Sequence, residues 1–440
     1  MARLRLLLLS CELATAAAWS SSASLRGAST CRAGAAALSG GTLFLEARGL
    51  VVSGCAHAAG ADRGRRRARL VLRQSPAPCA VGASAAGRSV GVGAGPGDGA
   101  LIETGSTIAD ARKTGVQALR DSGVEDGEAE SAIDILLEHV TKLSRSTLRS
   151  PSSRTRALSP EEAAHLEACV ARRARSEPVQ YIVGEWDFYN LRHILVRQPT
   201  LIPRPETEEL VDMIVKHFGA ASPPRFLEVG PGTGAISLAL LKAWPGAQAD
   251  AVELCKHAVN LTRDNARVFK LADRLTTHHA GISEWAETRG GGAELFPMLV
   301  SNPPYIPSPD MLGLDSEVRL FEDHVALDGG DDGLDVVWQI LVAAPRLLVP
   351  GASIWLEVDE SHPPLIAALF ASASDAPRSG AVSARTDRSR QELAHIQLVS
   401  CHDDMFGRPR FVHLRVKDEE YRRLGAEAEG HDSTGTHGQS

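Results

Sequence analysis

From Arg225 onward, short apolar runs alternate with amphipathic segments, and this alternation limits the possible folds more than any other feature of the chain. The apolar runs have the length of buried strands, and the segments between them repeat at helical spacing. We predict strands at Arg225–Val229, Ala249–Glu253, Met298–Ser301, Ser353–Val358, His395–Ser400 and Phe411–Val416, the last two antiparallel. Helices are expected at Gly234–Ala243, Lys256–Leu271, Leu334–Leu348 and Pro364–Phe370. Because such elements pack as a doubly wound, mainly parallel sheet, the pattern predicts an α/β fold.

The first strand runs directly into a glycine-rich turn, Gly230–Gly234, and then into a helix. Such a turn lets backbone amides approach a ligand at the helix N-terminus. Glu253 ends the next strand, where its carboxylate can accept hydrogen bonds from both hydroxyls of a ribose. The two features predict a nucleoside-type cofactor, either a dinucleotide or S-adenosylmethionine. The alternative is that the glycines only allow close packing of strand and helix.

The tetrapeptide Asn302-Pro303-Pro304-Tyr305 separates these two cofactors. Consecutive prolines fix φ and remove backbone donors, so the chain turns in a rigid elbow after its strand. The Asn302 side-chain oxygen and the Pro303 carbonyl are placed to accept N–H groups of a planar amide or amine, and Tyr305 to stack on it. Orienting a weak nitrogen nucleophile favours methyl transfer from S-adenosylmethionine. The alternative is a structural turn with a cis proline.

Charge and cysteine content narrow the possible partners. The net charge is −7, but residues 1–100 contain 12 Arg, no Lys and four acids, which leaves −15 for the remainder. An acidic body argues against direct nucleic-acid binding, because phosphate contacts need a basic face. The seven cysteines include no C-x-x-C pair, so no metal site is expected. No apolar run has the roughly 18–20 residues that span a bilayer, and we expect a monomer without membrane contact.

Five segments are predicted along the chain. Residues 1–100 form an Arg-rich, acid-poor leader, typical of a transit peptide for mitochondrial import; secretion or a merely disordered leader are the alternatives. Residues 101–178 form a small helical domain, expected to dock the substrate, and residues 179–200 a β-hairpin connector. Residues 201–424 form the α/β domain, and residues 425–440 a disordered tail. Helices of the small domain are expected at Ile108–Ser122, Glu128–Leu143 and, after the N-cap Ser159, from Pro160 to Arg175.

Longer motifs resemble HemK/PrmC-type glutamine methyltransferases, the family that methylates the glutamine of the Gly-Gly-Gln motif in peptide-chain release factors. The resemblance covers about residues 106–417. Its motifs are Glu177–Phe188 (E-P-V-Q-Y-I-V-G-E-W-D-F), Leu201–Glu208 (L-I-P-R-P-E-T-E), Leu227–Gly234 (L-E-V-G-P-G-T-G), Ser301–Ile306 (S-N-P-P-Y-I), Ala326–Gly333 (A-L-D-G-G-D-D-G) and Gly407–Phe411 (G-R-P-R-F). The Asn-Pro-Pro-Tyr element is shared with adenine-amino DNA methylases, whereas the Leu201–Glu208 block and the helical domain are more specific. The sequences E-W-D-F and G-R-P-R-F are similar to those of the mitochondrial branch of this family.

The resemblance implies a Rossmann-like class I methyltransferase that uses S-adenosylmethionine, with a small N-terminal helical domain and a release factor as protein substrate. The implied catalytic residues are Asn302, Pro303 and Tyr305. The implied cofactor-binding residues are Glu228, Gly230, Pro231, Gly232, Thr233, Gly234, Glu253, Ile282 and Asn302. The implied substrate-binding residues are Pro203, Arg204, Pro205, Glu206, Asn302, Pro303, Pro304 and Tyr305.

One position departs from the family pattern, which usually has an acidic residue near the adenine, after a third strand that is counted here from Asp273-Arg274-Leu275, ahead of Met298–Ser301. Gly281 stands in its place, followed by Ile282. A contact to the adenine amine would then be absent or made by Ser283 or Glu284. Two other functions stay open on the sequence alone: an adenine-amino methyltransferase acting on DNA or RNA, and an inactive module that kept the fold.

Overall fold

A computed structural model describes residues 100–289, 293–370 and 393–418, all within one compact unit of the chain. The predicted leader, apart from its last residue, and the predicted tail therefore lie outside the described residues. Within the described ranges, no helix is both long and apolar enough to cross a membrane.

The N-terminal part is helical, as predicted. Its helices are α1 (Ile108–Asp121), α2 (Asp126–Thr141), α3 (Arg145–Leu148), α4 (Pro151–Arg154), α5 (Pro160–Arg173) and α6 (Val179–Val183). Helix α5 begins with a complete capping box, in which Ser159 and Glu162 each bond the other's backbone amide. The buried faces of α1, α2 and α5 share one apolar core. The one-turn helices α3 and α4 were not predicted, because four residues show no periodicity.

A hairpin follows, formed by β1 (Glu185–Phe188) and β2 (Leu191–Leu195), which pair antiparallel. The start of the predicted β-like region is wrong, because Val179–Val183 forms the helix α6 instead. Aromatic and branched side chains there suggested a strand. However, Pro178 caps the N-terminus of this turn, and Gly184, with a φ of 81°, ends it in the left-handed region.

The C-terminal part is the expected α/β layer structure. Its elements are α7 (Pro205–Phe218), β3 (Arg225–Val229), α8 (Ala235–Ala243), β4 (Gln248–Glu253), α9 (Lys256–Val268), β5 (Leu275–His279), α10 (Ile282–Thr288), β6 (Phe296–Ser301), α11 (Ser316–Phe321), α12 (Asp335–Leu347), β7 (Leu348–Glu357), α13 (His362–Phe370), β8 (Ile396–Asp403) and β9 (Pro409–Val416). The seven strands lie in the order β5-β4-β3-β6-β7-β9-β8. Strand β9 runs antiparallel to β7 and β8, and the other pairings are parallel.

This strand order places a ligand site. The sequential order reverses between β3 and β6, which pair side by side. In an open parallel sheet, connections leave to opposite faces at such a point and open a crevice beyond the carboxyl ends of the strands. Apolar clusters fill both faces of the sheet and hold these strand ends in position. The glycine turn after β3 and the elbow after β6 therefore meet at the same edge.

The segment 302–334, which we call the strap, joins β6 to α12. It contains α11 and two short 3-10 helices, Ser308–Gly313 and His324–Ala326. The strap folds back on itself, because Ile306 forms a parallel bridge with Asp328. Gly333 is the second-last residue of the strap. It has a φ of 75° and lies against the backbone carbonyl of Tyr305.

Gly333→Ala is expected to lower the free energy of unfolding by at least about 2 kcal/mol. A non-glycine residue at positive φ costs about 1–3 kcal/mol, and the added Cβ would also overlap the Tyr305 carbonyl and the His362 ring. Chemical denaturation measures the loss. Gly313→Ala is the matched control on the strap, since no atom lies within 4 Å of a Cβ there. Equal stability of the two variants would contradict this account.

Candidate active site

A cavity of about 580 Å³ lies where the crevice was expected, at the carboxyl ends of β3, β4 and β6. Eight of the nine predicted cofactor-binding residues line it: Glu228, Gly230, Pro231, Gly232, Thr233, Glu253, Ile282 and Asn302. The exception, Gly234, begins α8 just behind the wall, where its φ is 83° and a Cβ would meet the Thr262 methyl at 3.0 Å. The sequence motifs thus converge on one cavity.

Backbone amides shape one end of this cavity around Glu253. Gly230 and Gly232 adopt φ values of 69° and 57°, which favour glycine, and this conformation turns the Gly232 amide toward the carboxylate. The Gly232 amide donates to Glu253 Oε2 at 3.1 Å, and the Cys255 amide donates to Oε1 at 2.8 Å. Both carboxylate oxygens are therefore fixed, with lone pairs remaining for ligand hydroxyls. Burial raises the pKa of Glu253 and so favours its neutral form. A ligand that donates hydrogen bonds to the carboxylate would oppose this shift and favour the anion.

Glu228 places a second carboxyl group in the cavity wall. Its Oε2 accepts from the amide and the hydroxyl of Ser237, one turn into α8. Its Oε1 is buried without a hydrogen-bond partner among the described residues. Burial raises the pKa of Glu228 to about 7, with the Ser237 bonds opposing the shift. A buried acceptor of this kind suits a cationic or N–H donor group of a ligand.

The Asn302 side chain is oriented by two neighbours. Asn302 Nδ2 donates to Thr207 Oγ1 at 3.0 Å and also hydrogen-bonds the Glu357 carboxyl group. Thr207 Oγ1 in turn donates its single proton to Glu357 Oε2 at 2.8 Å, so it must accept from the asparagine. This network assigns the amide nitrogen to Thr207 and Glu357, and the oxygen Oδ1 to the opposite side. This orientation leaves Asn302 Oδ1 available as an acceptor.

The elbow itself is held rigidly, but only part of it faces the cavity. The Ser301 hydroxyl donates to the Val229 carbonyl at 2.7 Å, which ties the end of β6 to β3. Among the described residues the cis peptide bond is Gln198–Pro199, so the alternative of a cis proline turn at the elbow is wrong. Asn302 and Pro304 line the cavity, whereas Pro303 and Tyr305 lie outside its lining.

The chain matches two protein-family models and many named relatives. Residues 110–184 match the "PrmC N-terminal domain", and residues 206–312 match the "Methyltransferase small domain". The human "MTRF1L release factor glutamine methyltransferase" is 38% identical over 300 residues, which cover 66% of this chain and 82% of the relative. A "Release factor glutamine methyltransferase" of Cereibacter sphaeroides is 34% identical over 310 residues, covering 70% of this chain and 98% of the relative.

The chain belongs to the release factor glutamine methyltransferase family. It is a methyltransferase, and the expected fold class, a Rossmann-like class I S-adenosylmethionine-dependent methyltransferase with a small helical N-terminal domain, is confirmed. A solved structure, the O-methyltransferase TomG from Streptomyces achromogenes, aligns with a TM-score of 0.33 at 15% identity, covering 50% of this chain and 82% of TomG. Likeness at that level adds nothing about activity.

The Leu201–Glu208 block divides between the cavity and its surroundings. Pro203 and Arg204 line the cavity, and Pro205 and Glu206 begin α7 outside its lining. Arg204 forms two hydrogen bonds of 2.8 Å with the carboxylate of Glu322 on the strap. Glu206 lies near Arg408 in the β8–β9 turn, at 3.4 Å. The block thus connects the cofactor cavity to the strap and to the antiparallel end of the sheet.

A second ion-pair group fastens the strap to the helical domain. Arg173 of α5 is only 1% exposed, and its guanidinium bonds the carboxylates of Glu128 in α2 and Glu317 in α11. A buried arginine is retained only with such partners. The helical domain, the strap and the cavity therefore form one connected structure in this family member.

Several cavity residues were not predicted from the sequence. Thr207 belongs to a quoted motif, but nothing in the motif shows that it holds Asn302. Cys255, His257 and Asp323 also line the cavity. Gly281, which replaces the acidic residue usual in the family, lines the cavity as well. Ser283 and Glu284 are exposed and lie outside the cavity lining. Neither side chain takes over the expected acidic position.

Proposed function

We propose that this methyltransferase transfers a methyl group from S-adenosylmethionine to the side-chain nitrogen of the glutamine in the Gly-Gly-Gln motif of a translation release factor. The observation that carries the proposal is the oriented Asn302 amide, whose oxygen is presented at the edge of a cavity with two buried carboxyl groups. The names of the human and bacterial relatives support the same substrate.

The cavity residues fit S-adenosylmethionine. Glu253, fixed by two backbone amides, is placed to accept the two ribose hydroxyls. Glu228 Oε1 lacks a partner, and the cationic groups of this cofactor offer what it needs. A dinucleotide with two phosphates would bring negative charge next to both carboxyl groups, so charge favours the sulfonium cofactor. Gly230 and Gly232 allow the backbone to approach it.

The reaction needs orientation more than proton transfer. Bound S-adenosylmethionine supplies an electrophilic methyl group. Asn302 Oδ1 and the Pro303 carbonyl would accept the two N–H groups of the glutamine amide, so that its nitrogen faces the cavity. These acceptors stabilise the positive charge that develops on nitrogen during transfer. The methylated amide then loses its proton to water, and no general base is required.

Two further predicted substrate residues, Pro205 and Tyr305, lie outside the cavity lining. Tyr305 lies near Glu357, Arg410, Arg204 and Glu206, and burial raises the pKa of its hydroxyl, which stays neutral. A neutral aromatic ring there is suited to contact the planar glutamine amide. Pro205 and Pro304 would border the path by which the glutamine side chain approaches Asn302.

Charge supports the proposed partner and compartment. The acidic body complements the basic surface that an RNA-binding release factor carries, so high salt should weaken binding. The Arg-rich, acid-poor composition of residues 1–100 supports mitochondrial import. We therefore place the reaction in mitochondria, with a mitochondrial release factor as substrate.

Incubation of the full chain with isotope-labelled S-adenosylmethionine and a release factor should place label on the Gly-Gly-Gln glutamine. Mass spectrometry of the digested factor locates the methyl group. The matched control is the same factor with that glutamine replaced by asparagine, which shortens the side chain by one methylene and should lose labelling. Label on duplex DNA but not on the factor would refute the proposal in favour of an adenine-amino methyltransferase. Failure to bind cofactor would indicate an inactive module.

A further inference from the structure

A cysteine, a histidine and an aspartate that are distant from the methyl-transfer residues in sequence meet at the rim of the cavity. Cys255 Sγ, a ring nitrogen of His257 and a carboxylate oxygen of Asp323 all lie within 4.8 Å of one another. All three residues line the cavity. The proposed reaction does not use their side chains, and the sequence showed no metal motif because Asp323 lies 66 residues after His257.

We propose that Cys255, His257 and Asp323 form a site for a thiophilic divalent cation, with Zn²⁺ as the fitting ion. Thiolate, imidazole and carboxylate are the ligand types that zinc prefers, and three protein ligands leave a fourth position that faces the cavity. One thiolate and one carboxylate balance the charge of the ion. The site stands independently of the proposed release factor substrate, because its ligands are not assigned to methyl transfer.

The geometry needs only a small contraction to bind zinc. Tetrahedral zinc with N, O and S ligands separates its ligand atoms by about 3.4–3.6 Å. His257 Nε2 already lies 3.2 Å from Asp323 Oδ2. The Cys255 side chain hydrogen-bonds the same carboxyl group, so Asp323 contacts both of the other two residues.

Neighbouring backbone groups hold the ligands in orientation. The Val325 amide donates to Asp323 Oδ1 at 3.0 Å and leaves Oδ2 toward His257. The Asp323 amide donates to the Pro199 carbonyl at 2.7 Å, which fixes the strap at this point. Cys255 is the N-cap of the 13-residue helix α9, which fixes its backbone. Such supporting contacts are typical of built metal sites.

The ion would connect two elements of the fold, α9 and the strap. Cys255 and His257 belong to the start of α9, whereas Asp323 belongs to the strap. Metal binding would therefore fasten the strap beside Glu253, whose Oε1 accepts from the Cys255 amide. The expected consequence is a more stable strap at this end of the cofactor cavity.

Cobalt substitution tests the site directly. One equivalent of Co²⁺ added to the full chain should give a thiolate-to-cobalt charge-transfer band and intense tetrahedral d–d bands, both displaced by Zn²⁺. Cys255→Ser should lose the charge-transfer band and weaken Zn²⁺ binding at least 100-fold in competition titrations. His257→Gln and Asp323→Asn should weaken it at least tenfold, and Zn²⁺ should raise the melting temperature of the unmodified protein more than that of any of these three variants.

Cys401→Ser is the matched control, because Cys401 is an exposed cysteine of β8 outside the cavity lining, and this variant should match the unmodified protein. Every variant keeps the other cysteines, so differences between spectra report the substituted residue, and circular dichroism verifies folding. An unchanged cobalt spectrum in Cys255→Ser would overturn the proposal. So would octahedral cobalt without a thiolate band, which would identify the three residues as a hydrogen-bonded contact only.

Discussion

Asn302→Ala is expected to lower kcat by about 10²–10³-fold while cofactor affinity changes by less than about tenfold. In the proposed reaction its side-chain oxygen would interact with the glutamine N–H group most strongly when that nitrogen becomes positive, so the loss should fall mainly on the transition state. Single-turnover methyl transfer measures the chemical step, and calorimetry measures cofactor binding. Asn260→Ala, an exposed asparagine on α9, is the control and should leave both unchanged.

Thr207→Val tests the orientation of this amide separately. Valine keeps the shape of threonine but removes the hydroxyl that accepts from Asn302 Nδ2. The amide then loses one of the two partners that define its orientation, so kcat should fall about tenfold with little change in KM. Restoration by Thr207→Ser would support the hydrogen bond as the cause. An unchanged rate in Asn302→Ala would refute the role of the oxygen, whatever Thr207 does.

Local patterns in the sequence were sufficient to predict most elements of the fold. The strand Arg225–Val229 was predicted with its observed bounds, because a run of apolar residues ends at a glycine turn. The capping box at Ser159 likewise identified the start of α5. Strand β5, L-T-T-H-H, was not among the predicted strands because it is a polar edge strand in which only Leu275 and Thr277 are buried. Helix α6 was misassigned because its composition favours strands and only its caps favour a helix.

The position of a residue in the cavity was predictable where a single local motif determines it. The glycine turn and Glu253 are of this kind. The supporting contacts were not predictable, because they join residues that are far apart in sequence. Thr207 and Glu357 are separated by 150 residues, and their hydrogen bond exists only once α7 packs against β7. Cys255 and Asp323 meet for the same reason, through the path of the strap.

Cofactor affinity is expected to increase roughly tenfold between pH 6 and pH 8, because of Glu228. Burial raises the pKa of this carboxyl group to about 7, so about one-tenth of the molecules carry the anion at pH 6 and about nine-tenths at pH 8. A cationic cofactor beside Oε1 binds the anion preferentially. Calorimetric titrations across this range measure the affinity, together with the proton released on binding below pH 7.

Glu228→Gln should remove this pH dependence and weaken cofactor binding at pH 8 by roughly 10–100-fold, since a charged hydrogen bond is worth about 1.5–3 kcal/mol.

The same substitution should stabilise the protein in the absence of cofactor. The folded-state pKa lies above the ordinary value of 4.5, so this group's contribution to stability is present at low pH and lost as pH rises through 7. The melting temperature of the variant should therefore exceed that of the unmodified protein by an amount that increases from pH 5 to about pH 7 and then stays constant. Glu284→Gln, at an exposed position on α10, should change neither property. A flat affinity profile for the unmodified protein would show that Glu228 does not contact the cation.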